Sequence, residues 1–156
     1  MYFVNRKETP PVPSTNLSGL TIYGMKPGQN IKDLDFGKYK KNSDFQEKVV
    51  KNHYYKYYKD FSVVYDSDGN IIKLKTLSLN AIQHVWLIGI HSLDDVTQRL
   101  GNNFVVSKYD KAQGLSSRDY YDNENKLRAR FVFPEGDAYT TNNQKISLVW
   151  VILEKF

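Results

Sequence analysis

The chain has 156 residues, 40% of them hydrophobic and 14% aromatic, with a net charge of +5 and no cysteine. That length suits one domain or two tightly packed subdomains, and the apolar share is enough for a core. The lack of cysteine excludes disulfides, thiolate chemistry and cysteine-ligated zinc or iron–sulfur sites. No apolar run approaches the roughly 18–20 residues of a membrane-spanning helix, so the chain reads as soluble.

The N-terminus opens with the apolar stub Tyr2-Phe3-Val4, a basic pair at Arg6 and Lys7, then Thr9-Pro10-Pro11-Val12-Pro13-Ser14-Thr15. Proline at this density predicts an extended spacer. Residues 1–18 are therefore expected to be a linker after a removed anchor or signal. Two α+β units are expected beyond it, at 19–78 and 79–156.

The first unit opens with Leu20-Thr21-Ile22-Tyr23-Gly24, an apolar segment running into a turn glycine. Gln29 or Asn30 is then placed to cap a short helix over Ile31 to Leu34. Between Phe36 and Lys51 a second helix is expected, with Phe45, Val49 and Val50 as its apolar contacts. His53 to Tyr58 reads as a tyrosine-bearing strand. Phe61 to Tyr65 and Ile71 to Lys75, separated by Asp66-Ser67-Asp68-Gly69-Asn70, read as a hairpin.

The second unit repeats the order. Val85 to Ile90 carries Gly89, Ser92 caps a helix with Asp95 three residues on, and Leu93, Val96 and Leu100 form its apolar stripe. Gly101 closes that helix. Ser117 to Tyr121 is the second tyrosine strand, and Leu127 to Phe133 and Lys145 to Leu153 are the second hairpin. Laying Gly24 on Gly89, 65 positions apart, brings Ile31 onto Val96 and, with one insertion, Gly37 onto Gly101. An internal duplication follows.

A short segment, a glycine, a two-turn helix ending in Leu100-Gly101, a tyrosine strand, and a hairpin of the form Val63-Val64-Tyr65-Asp66…Gly69 resemble the β-lactamase inhibitor protein-like superfamily. That group includes the outer-membrane SmpA/OmlA-type lipoprotein domains. Copy one departs from the pattern: Asp35-Phe36-Gly37 stands in place of Leu-Gly, so its helix is expected to be short or irregular. The paired cysteines of the secreted inhibitors are missing, which counts against β-lactamase inhibition itself. The resemblance implies an α+β fold in which two tandem helix-plus-antiparallel-sheet units form one concave sheet. It also implies a non-enzymatic, extracytoplasmic protein that binds with that face, here tethered at a bacterial cell surface.

Charge and aromatic content point the same way. Between Lys38 and Lys59 seven lysines face two acids, so this segment holds the whole net charge. Such a patch favours an acidic partner: an acidic protein, an anionic envelope polymer, lipid headgroups or nucleic acid. In His53-Tyr54-Tyr55-Lys56-Tyr57-Tyr58-Lys59, alternation puts His53, Tyr55, Tyr57 and Lys59 on one face and Tyr54, Lys56 and Tyr58 on the other. Tyrosine combines apolar area with a polar tip and suits recognition. The candidate partner-binding residues are Tyr54, Tyr55, Lys56, Tyr57 and Tyr58, extended by Tyr120, Tyr121 and Trp150.

Other chemistries find little support. The basic charge covers one segment and no nucleic-acid-binding signature accompanies it, so nucleic acid is not expected. His53, His84 and His91 lack ligand spacing. Asp66 to Asn70 echoes a calcium loop, but Leu77 occupies the place of its glutamate. No cofactor, metal or catalytic residue is expected, and a membrane is met only through the removed anchor. The alternatives are an envelope-assembly domain without a dedicated ligand and, behind it, a small hydrolase.

Overall fold

The structure, a computed structural model, describes residues 12–86, 89–90, 92–136 and 147–156. Its centre is one eight-stranded antiparallel sheet. The strands are β1 (Lys48–Val50), β2 (His53–Tyr57), β3 (Phe61–Tyr65), β4 (Ile71–Thr76), β5 (Val105–Asp110), β6 (Leu115–Asp122), β7 (Leu127–Pro134) and β8 (Trp150–Lys155). They run in the order β1-β2-β3-β4-β8-β7-β6-β5. Each half is a four-stranded meander, and the last strands of the two halves join them, with Leu74 opposite Leu153. The fold is sheet-rich. Its helices are α1 (Leu79–Ile82), α2 (Leu93–Leu100) and a 3-10 turn at Ile31–Asp33. Among the described residues no helix is long and apolar enough to cross a membrane.

Local chemistry accounts for most boundaries. Ser92 caps α2 by accepting from the Asp95 amide, and Gly101 ends it at φ +87°. Asn30 caps the 3-10 turn through the Lys32 amide, and the turn stops at three residues, as its irregular Asp35-Phe36-Gly37 ending predicts. Asp66 accepts from the amides of Asp68 and Asn70, which closes the β3–β4 turn around Gly69. Gly89 is required: its φ is +79°, and a Cβ there would stand 2.6 Å from the Gln83 carbonyl oxygen.

The expected helix between Phe36 and Lys51 is not formed. Lys48–Val50 is an edge strand paired with His53 to Tyr55. Lys51 and Asn52 form the two-residue turn with φ of +50° and +65°, the left-handed pair that a tight hairpin uses. Phe45, Val49 and Val50 are consequently exposed at 56, 65 and 44%. The second hairpin also differs: β8 begins at Trp150, and Lys145 and Ile146 lie outside the described residues.

The core lies on one face of the sheet. Phe61, Val63, Leu74, Phe131, Val151 and Leu153 meet Leu17, Leu20, Ile22, Ile82, Leu93 and Val96 from the covering helices and loops. Thr21 to Tyr23 and His84 to Trp86 pair with one another inside this layer. The Tyr23 amide donates to the His84 carbonyl, and the Trp86 amide donates to the Thr21 carbonyl, on either side of an Ile22–Val85 bridge.

Part of the expected spacer is docked. The Thr15 amide donates to Tyr121, Ser14 accepts from the Asn123 amide, and Leu17 is 1% exposed. The anchor is Asp122, whose carboxylate accepts from the amides of Leu17, Glu124 and Asn125 and from the Asn125 side chain. Burial alone would raise its pKa; these hydrogen bonds outweigh that and hold it below the ordinary carboxylate value. A depressed native pKa stabilises above the unfolded value, near ~3.9, and that contribution is lost as pH falls through the lower native value. Melts across the acidic range should show this loss in the native chain and a weaker dependence in Asp122→Asn.

Candidate functional site

Residues paired across antiparallel strands share a face, so the register sorts every strand side chain. One set of rows lies opposite the core. Tyr57, Ser62, Lys75, Ile152, Arg130 and Asp119 make one row from β2 to β6. Tyr55, Val64, Lys73, Glu154, Arg128 and Tyr121 make the next. Trp150, Val132 and Ser117 make a third. The buried cluster on this side consists of Leu115, Val132 and Ile152, with Tyr109, Val149 and Trp150 against it. No helix residue belongs to it, so among the described residues this is the open face.

The expected binding residues divide between the two faces. Tyr55, Tyr57, Tyr121 and Trp150 stand on the open face. Tyr54 and Lys56 point to the opposite side, where both meet Tyr65, the first ring to ring and the second with its ammonium 5.7 Å from the ring centre. Two residues must be corrected to core. Tyr58 is 4% exposed and stacks against both Phe61 and Phe36. Tyr120 is 0% exposed, and its hydroxyl donates to the Gly101 carbonyl, tying the end of α2 to β6. Alternation along a strand separates faces but does not say which face the helices cover.

The open face also gathers residues that sequence reasoning missed. Lys75 on β4 holds its ammonium 4.0 Å from the Trp150 ring centre and 3.4 Å from the Tyr109 hydroxyl. Tyr109 on β5 meets Trp150 at 5.6 Å between ring centres and lies beneath the Arg130 guanidinium. A register shift between Lys108 and Asp110 places Tyr109 there, the re-aiming that a bulge produces. Three strands separate β4 from β5. At about 4.8 Å per strand, a flat sheet would hold them roughly 19 Å apart.

Charge on this face is largely internal. Arg130 pairs with Asp119 at 3.1 Å, and Ser117 donates to the same carboxylate. Arg128 pairs with Glu154 at 2.7 Å. Lys73 and Lys75 have no carboxylate partner among the described residues. Burial pulls the Lys75 pKa below the ordinary lysine value. The lysines of the basic segment lie elsewhere: Lys38, Lys40, Lys41, Lys48, Lys51 and Lys59 are exposed, at the β1 edge and in the loops beside it. The paired alternations Lys73/Lys75 and Arg128/Arg130 were the sequence signals for this surface.

The histidines take separate positions. His53 is exposed at the start of β2, and His84 stacks on Tyr23 at 4.4 Å in the covering layer. His91 lies outside the described residues. No family model, curated protein or solved structure matches the chain.

Proposed function

We propose that the protein is a non-catalytic binding module of β-lactamase inhibitor protein-like build, two tandem units whose joined sheets present one concave face to an acidic partner. The observation that carries the binding reading is the open face itself. Tyr55, Tyr57, Tyr121, Tyr109 and Trp150 stand there among Lys73, Lys75, Arg128 and Arg130, under no other described element. Aromatic and arginine side chains of this kind anchor protein interfaces.

Concavity is supported by the contact of Lys75 with Tyr109 across three intervening strands. Duplication is supported by the mirrored strand order of the two halves. The cysteine-free composition and the proline-rich spacer suit a protein working outside the cytoplasm, tethered at a bacterial surface.

The test is photo-crosslinking in bacterial envelope extract. A photoreactive residue replacing Tyr57 or Tyr121, on opposite halves of the open face, should trap the same acidic partner. One replacing Leu79, 71% exposed on the covering layer, should trap none. Tyr55→Ala with a probe at Tyr121 should lower the yield. Equal trapping from Leu79 would sink the proposal.

A further inference from the structure

Lys75 differs from the other described lysines. A surface lysine ordinarily lays its stem on apolar area and leaves its ammonium in water. Here the ammonium itself is drawn against the Trp150 ring at 4.0 Å and the Tyr109 hydroxyl at 3.4 Å. Ile152, 1% exposed, stands directly opposite it on β8, and Val132 lies fully buried one strand further on. The neighbouring cations are already taken, Arg130 by Asp119 and Arg128 by Glu154. A half-buried cation whose polar partner among the described residues is a single phenol is incompletely satisfied, because its charge has lost water and gained no counter-charge there.

We propose that Lys75, framed by Trp150 and Tyr109, is the receptor for a carboxylate of the partner, and that the partner is an acidic protein segment presenting a glutamate or aspartate among apolar residues. This rests on the reading of the open face as the binding face and names its occupant. The carboxylate accepts from the Lys75 ammonium and the Tyr109 hydroxyl, and the apolar neighbours of the acid cover the two rings. A charge-assisted hydrogen bond in a site stripped of water is stronger than its exposed counterpart. Lys73, two residues away on the same face and without a carboxylate partner among the described residues, adds attraction of the same sign.

The surroundings favour a protein carboxylate over a phosphate polymer. A polyphosphate chain stays hydrated and is met by freely exposed cations, which the lysines around β1 supply. A single carboxylate on an apolar stem matches an ammonium flanked by an indole and a phenol.

The probes are the acetylated, C-terminally amidated pentapeptide Gly-Phe-Glu-Phe-Gly, its glutamine counterpart, and poly(glycerol phosphate), titrated into the full chain by nuclear magnetic resonance. The glutamate peptide should bind about tenfold more tightly than the glutamine peptide, the ratio expected of one charge-assisted contact. It should also move the titration of the Lys75 ammonium to higher pH, which the glutamine peptide should not do. Lys75→Met, which keeps the stem over Trp150, should abolish the discrimination, and Lys75→Arg should restore part of it. Poly(glycerol phosphate) should leave the Lys75 resonances in place.

Equal binding of the two peptides, or discrimination that survives in Lys75→Met, overturns the proposal. Poly(glycerol phosphate) displacing the glutamate peptide from Lys75 overturns the assignment to a protein partner. In the crosslinking assay, unchanged trapping from Tyr57 in the Lys75→Met chain refutes this site alone, whereas no trapping from either open-face position removes the binding face as well.

Discussion

Phe61→Ala should lower the free energy of unfolding by about 3–5 kcal/mol, the range of a buried phenylalanine truncated in a core that cannot collapse. Phe61 is 0% exposed at the start of β3. Its ring stands 4.9 Å from both Tyr39 and Tyr58, 5.4 Å from Tyr23 and 6.5 Å from Phe36, centre to centre. Tyr58 is held by the sheet end, while Tyr23, Phe36 and Tyr39 come from the covering loops. These rings are fixed by separate segments and cannot all close on the space left behind. Phe45→Ala is the control: that ring is 56% exposed, and its loss should change stability by less than about 0.5 kcal/mol. Urea unfolding of the two variants measures both. A similar small change for each would mean that the aromatic cluster is not the core of the first half.

Arg130→Met should destabilise by a comparable amount, about 3–5 kcal/mol, for an electrostatic reason. Asp119 is 1% exposed, and its carboxylate is held by the Arg130 Nε at 3.1 Å and the Ser117 hydroxyl at 2.7 Å. Removing the guanidinium leaves a buried charge with one neutral partner. Changing both residues, as Arg130→Met with Asp119→Leu, should recover most of the loss, since it removes the stranded charge as well as the pair. Thermal unfolding of the two single variants and the double variant gives the coupling directly. If Arg130→Met alone is neutral, the pair does not hold β6 and β7 in register beneath the open face.

Much of this fold was legible where the chemistry is local. Ser92, Asp95 and Gly101 marked the limits of α2, and the Asp66–Asn70 run marked the β3–β4 turn, because caps and turns are made by residues close in sequence. Alternation along His53–Tyr57 correctly divided that strand into two faces. The spacing of Phe45, Val49 and Val50 matched a helix as well as a strand. The deciding feature was the left-handed pair at Lys51 and Asn52, where only asparagine carries a turn preference. Tyr58 and Tyr120 were misplaced because burial depends on which face the helices cover. The Lys75 site was not legible as a site. It needs a bulge to turn Tyr109 and a seam at β4–β8 to bring residues of the two halves together.

The proposed concavity of the open face can be tested without any partner, by recording nuclear Overhauser contacts among Lys75, Tyr109 and Trp150 in the full chain. A concave sheet predicts cross-peaks from the Lys75 side chain to both rings, and between the rings, although three strands separate β4 from β5 and two separate β8 from β5. Cross-peaks confined to neighbours on adjacent strands, with Lys75 isolated from Tyr109, would mean that the face is flat and that the site does not exist.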